Sequence, residues 1–129
     1  MKTNHKLALA ILAGISIGVA GAKVIYAQQA KAPPAYVIAE IQVTDPATMQ
    51  KYGEKMPETL APFSHHYLVR GGKPQALEGE APKNIVMIGF DNVEKAREWY
   101  DSPAYQAIKP IRQSAAKVRM FIAEGVAIP

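Results

Sequence analysis

Cysteine is absent from the 129 residues. That excludes a disulfide framework, a thiolate nucleophile, thiolate-bound zinc and cysteine-held iron–sulfur clusters. Histidine is scarce, with three in the chain, and no H-x-H, H-E-x-x-H or carboxylate cluster accompanies them, so no metal site is expected. Ser64, Ser102 and Ser114 lack a nucleophile signature such as G-x-S-x-G. Gly71-Gly72 has neither the Walker nor the dinucleotide spacing and reads as a turn. The length allows one domain of ordinary size, and the composition is not that of a disordered or collagenous chain.

The apolar run Leu7–Ala22 opens what is there. Lys2 and Lys6 precede it, Lys23 ends it, and small-residue sites follow at Ala20-Gly21-Ala22 and Ile25-Tyr26-Ala27. A basic start, an apolar middle and a small-residue cut site make a secretory signal peptide over residues 1–27, cut after Ala27. The alternative is an uncleaved anchor, which wants about 20 apolar residues; this run is shorter and is interrupted by glycines. Either way the rest is expected to be exported, periplasmic or extracellular, with no membrane contact after cleavage. Losing the leader removes Lys2, Lys6 and Lys23 and no acid, so the formal +4 becomes twelve cations against eleven anions. That balance gives no electrostatic footprint for nucleic acid. Residues 28–34 (QQAKAPP) read as a linker, since paired prolines fix an extended backbone. The domain is 35–129, enough for one modest core.

Within it, Tyr36–Val43 reads as a strand with Val37, Ala39, Ile41 and Val43 on one face and Tyr36, Ile38, Glu40 and Gln42 on the other. Asp45-Pro46 starts a helix by side-chain capping and proline at the first position. Met49, Tyr52, Met56, Leu60 and Phe63 form its core stripe, and Pro57 predicts a bend or restart. His65–Arg70 and Asn84–Phe90 read as strands. Asn92 caps a helix over Val93–Asp101, Ser102-Pro103 restarts one that Pro110 kinks, and Val118–Glu124 is the last strand. With right-handed crossovers, this order places both proline-broken helices on one face of a four-stranded antiparallel sheet, an α+β ferredoxin-like βαββαβ fold. The other face carries apolar side chains, and sheet-to-sheet homodimerisation is the simplest way to cover it.

The stretches YVIAEIQVTD, YLVRGGK, LEGE and WYDSPAYQAIKPIRQSA, in this order, resemble the DUF1330 family, a domain of unknown function, over roughly Tyr36–Val126. The resemblance implies a dimeric α+β barrel of two ferredoxin-like sheets packed face to face. More distant barrels of that type include cofactor-free monooxygenases, muconolactone isomerase and haem-handling enzymes, which share architecture without sharing chemistry. Two departures stand out. The family commonly has Gly-Gly and a basic residue before Tyr-Leu-Val-Arg, where this chain has Ser64, His65 and His66. Its third strand commonly ends in Glu-Phe, where this chain has Gly89-Phe90.

Adjacent in a strand, His65 and His66 point to opposite faces. Strict alternation groups His66 with Leu68 and Arg70, and His65 with Tyr67 and Val69. If Tyr67 and Val69 meet the helices, His66 and Arg70 enter the inter-sheet space beside Glu40 and Gln42. The expected catalytic group is then His66 as acid or base, Arg70 as anion clamp and Glu40 as orienting partner. The structural alternative is an Arg70–Glu40 ion pair, across the sheet or across the dimer, with His66 bonded beside it, because buried charges must be paired. Tyr100, Tyr105 and Arg112 flank the Ser102-Pro103 break and, with Gln42, are the expected ligand-binding residues; a helix junction packed by rings is the alternative. No cofactor is expected. The reading is an exported homodimer that binds a small molecule between its sheets, with a cofactor-independent proton transfer or oxygenation as its catalytic form. A non-catalytic structural or stress-related module is the alternative. Haem handling ranks third, because no histidine stands out as an axial ligand.

Overall fold

The computed structural model describes residues 31–129; the leader, its cut site and the alternative anchor fall outside them. The elements are β1 (Ala35–Val43), α1 (Pro46–Leu60), β2 (His65–Gly72), β3 (Asn84–Phe90), α2 (Val93–Asp101), α3 (Pro103–Ala115) and β4 (Ala116–Glu124). The strands form one antiparallel sheet in the order β2-β3-β1-β4. Among the described residues no helix is long and apolar enough to cross a membrane.

Each helix starts where a side chain can satisfy its free N–H groups. The Asp45 carboxylate accepts from the Thr48 N–H at 3.2 Å, and Asn92 accepts from the Lys95 N–H at 2.8 Å. The Ser102 hydroxyl serves two helices: it donates to the Trp99 carbonyl at 2.7 Å and accepts from the Tyr105 N–H at 3.2 Å. That one residue ends α2 and begins α3. The expected restart at Pro57 does not occur. Helix α1 continues through it to Leu60, because the bond proline forfeits lies in the last turn, where few others depend on it.

Alternation in β1 buries Ala35, Val37, Ala39 and Ile41 against the helices. Phe90, Trp99 and Tyr105 stack beside them, with ring centroids 5.5 Å and 4.3 Å apart in turn. The Trp99 indole N–H donates to the Thr59 hydroxyl at 3.1 Å, which donates to the Met56 carbonyl at 2.8 Å. Both buried polar groups are thereby satisfied, as a packed interior demands. The opposite face of the sheet is open. One row across it is apolar on all four strands, Val69, Met87, Ile38 and Phe121, each at least partly exposed.

Candidate functional site

Strand β2 decides which candidate side chains meet. Its register against β3 runs His66↔Gly89 and Tyr67↔Ile88, jumps to Val69↔Met87 and Arg70↔Val86, and jumps again to Gly72↔Ile85. Each jump is a bulge, one extra residue on β2. Cross-strand partners share a face, so the bulge at Leu68 reverses the alternation: Val69 joins the open face and Arg70 turns to the helix side. Gly71 absorbs the second jump at φ +68°, a conformation that strains other residues. The Arg70 guanidinium lies 4.9 Å from the centre of the Tyr67 ring and stays exposed.

Within one chain the expected Glu40–His66–Arg70 group is therefore not assembled, and neither is the Arg70–Glu40 pair. Glu40 is taken by Arg119 of β4, whose Nε donates to Oε2 at 2.6 Å and whose Nη2 donates to Oε1 at 2.9 Å. The hydrogen bond from Arg119 holds the Glu40 carboxyl below its ordinary range, and the same bond raises Arg119. His66 shares the open face with Glu40 but stands in the row of Gly89 and Tyr36, four residues along β1 from Glu40. At about 3.3 Å per residue that is roughly 13 Å. A Cβ at Gly89 would lie 2.6 Å and 2.7 Å from the Cε1 and Nε2 atoms of His66. The imidazole thus fills the space a side chain at 89 would occupy. The two departures from the family pattern meet in this one cross-strand pair.

An apolar space of ligand size lies on the helix side. A hollow of about 390 Å³ lies under α1, walled by Val37, Ala39 and Ile41 of β1, Val86 and Ile88 of β3, and Met49, Tyr52, Gly53 and Met56 of α1. Arg112, Tyr67, Arg70 and Asn84 bring polar groups to it. Its origin is in the residues: β1 offers alanine at 39, α1 offers glycine at 53, and α1 takes α3 rather than the sheet as its main packing partner. The Tyr52 and Tyr105 hydroxyls are 3.2 Å apart. Burial, reinforced by Tyr105 and opposed by the charge of Arg112, pushes the Tyr52 phenol far above its ordinary value. Burial also raises Tyr67, against the pull of Arg70. Arg112 is 6% exposed, and its Nε is buried with no hydrogen-bond partner among the described residues.

Of the expected ligand-binding residues, then, Arg112 reaches a cavity, although on the helix side. Tyr105 stands behind Tyr52, and Tyr100 packs against Tyr105 with centroids 5.3 Å apart, so for these two the ring-packed junction is what forms. Gln42 is exposed in a polar groove beside Glu40, Lys117 and Arg119. Tyr52, Asn84 and Arg119 were not singled out by sequence. The alternation of Lys117 and Arg119 with Val118 and Met120 carried the signal for Arg119. Nothing in a periodic stripe distinguishes a side chain that fills a core from one that borders a hollow, so Tyr52 carried none.

Sheet order, crossover helices and an open sheet face define an α+β domain of the ferredoxin-like kind, here with a hollow between helix and sheet. Residues 34–126 match the model of DUF1330, a domain of unknown function, and the chain belongs to that family. No curated protein matches it. Among solved structures it is similar to a protein of unknown function from Rhodopseudomonas palustris at 16% identity, over 81% of this chain and 93% of that one, with a TM-score of 0.60. A dimeric ferredoxin-like protein of unknown function from Thermobifida fusca matches at 14% identity over 75% and 95% of the two chains, with a TM-score of 0.52. SnoaB, a cofactor-independent oxygenase from Streptomyces nogalater, matches at 13% identity over 74% and 95%, with a TM-score of 0.52. At these identities the likeness is one of fold.

Proposed function

We propose that the protein is an exported, homodimeric small-molecule-binding protein whose ligand occupies the hollow under α1. The hollow carries the reading. It is a cleft open to solvent on one side, about 390 Å³ in volume, which is the size of a small-molecule site, with mostly apolar walls and a few convergent polar groups. The apolar row Val69–Met87–Ile38–Phe121 supports the homodimer, since a second copy laid sheet to sheet would cover it. The dimeric Thermobifida fusca protein of similar fold supports it too. Export rests on the leader pattern of residues 1–27.

The catalytic form of this reading is a cofactor-independent proton transfer or oxygenation. In the hollow it would draw on Arg112 for charge and on the acidity of the substrate itself, because no carboxylate or imidazole is among the lining residues. His66 would serve chemistry only between the sheets of the dimer. Native mass spectrometry of protein purified from its exported compartment tests the proposal. The expected spectrum is a dimer of chains beginning at Gln28, with a small molecule released on denaturation. Monomers that retain the leader and release nothing would overturn it.

A further inference from the structure

We propose that the hollow takes an organic acid, a monoanionic carboxylate on an apolar body, with the Arg112 guanidinium as its charge partner. This rests on the reading of the hollow as a ligand site and adds the chemical class of the ligand. Arg112 is more than nine-tenths buried and lines the hollow. Its Nε has no hydrogen-bond partner among the described residues, and their ion pairs, Lys95–Glu98 and Arg119–Glu40, leave it out. The lining holds no aspartate or glutamate. A buried cation without an internal anion calls for one from outside.

The atoms in question define the shape of that anion. A guanidinium can receive a carboxylate end-on through its two Nη groups in a bidentate pair; the Arg112 Nε is closed off from the hollow, so the pair would form at the Nη end. The aliphatic walls of Val37, Ala39, Ile41, Val86 and Ile88 offer surface to an apolar body. Arg70 stands exposed among the same lining residues and adds a positive field that favours anions over cations on approach. One buried cation, an exposed one beside it and aliphatic walls select an acidic head on an apolar remainder, and discriminate against inorganic phosphate, which gains nothing from the walls.

The exported protein is titrated with octanoate and 3-phenylpropanoate, with their neutral amides, and with inorganic phosphate, and followed by calorimetry and thermal denaturation. The expected result is binding of at least one acid with a raised Tm, at least tenfold weaker binding of its amide, and no shift with phosphate. In Arg112→Met the preference for acid over amide should vanish. Acid and amide binding equally well to the native protein would overturn the carboxylate assignment and leave the hollow a ligand site. Preference for acid persisting in Arg112→Met would overturn the role of Arg112. A phosphate shift equal to that of the acids would reduce the site to an anion hole, against the proposal. If neither acids nor amides bind, the assignment and the ligand-site reading fall together. Should Arg112→Met not fold, the acid–amide comparison in the native protein still decides.

Discussion

Gly53 offers the most direct test that the space under α1 is kept open. It lies in the interior of a fifteen-residue helix, it lines the hollow, and a Cβ built on it meets nothing within 4 Å. Its backbone is not in the positive-φ region that would demand glycine. On helix propensity alone Gly53→Ala should stabilise by about 0.8–1.0 kcal/mol, with no clash to offset the gain. In a domain of this size that is about 4–8 °C in Tm. Gly53 is exposed at the rim of the hollow; leucine has nearly the helix propensity of alanine, so Gly53→Leu should keep most of the gain while its side chain narrows the mouth and weakens ligand binding. Scanning calorimetry of the two variants, followed by titration with the best-binding acid, measures both effects. A lower Tm in Gly53→Ala would mean the rim is tighter than the open space around its Cβ. Undiminished binding in Gly53→Leu would place the ligand elsewhere.

Two further outcomes follow from the site. Arg70→Ala should cost only about 0.5–1 kcal/mol, the worth of an exposed cation–π contact with Tyr67, because Glu40 keeps Arg119; a loss of several kcal/mol in urea denaturation would restore the Arg70–Glu40 pairing. For Tyr52, burial raises the phenol above its ordinary 10.0, so above pH 10 the unfolded chain releases a proton that the folded chain retains, and stability falls as pH rises, by up to about 1.4 kcal/mol per pH unit. Tyr52→Phe should flatten that decline between pH 10 and 11 and leave the smaller part due to Tyr67; identical urea midpoints against pH in both proteins would show that Tyr52 is not buried as described.

The order of elements was legible because it depends on local chemistry. Asp45-Pro46, Asn92 and Ser102-Pro103 each announce a helix start by a side chain that can cap and, in two cases, a proline that needs no partner. The faces of β1 were legible for a similar reason, since nothing interrupts its period of two. The faces of β2 were not. Leu68 looks like any other strand residue, and only its pairing with β3 shows that it is the extra one. One bulge carried Arg70 from the open face to the helix side, and the candidate group of Glu40, His66 and Arg70 went with it. Arg112 was noticed for its place near a helix break. Its burial beside a hollow depends on Ala39 and Gly53, two small residues on elements far apart in sequence, and a hollow is a property of their distance rather than of either residue.

The hollow opens to solvent, since Val43, Gly53 and Arg70 of its lining are exposed, so it holds either water or a ligand. Water would find partners at Arg112, Tyr52 and Asn84 and few along the aliphatic wall of Val37, Ala39, Ile41, Val86 and Ile88. Molecules held on one side only are the ones an apolar body displaces with gain. The wall that makes the hollow a poor container for water is thus the feature that favours an organic ligand over solvent. The buried guanidinium of Arg112, with no carboxylate among the lining residues, favours a ligand that brings an anion of its own.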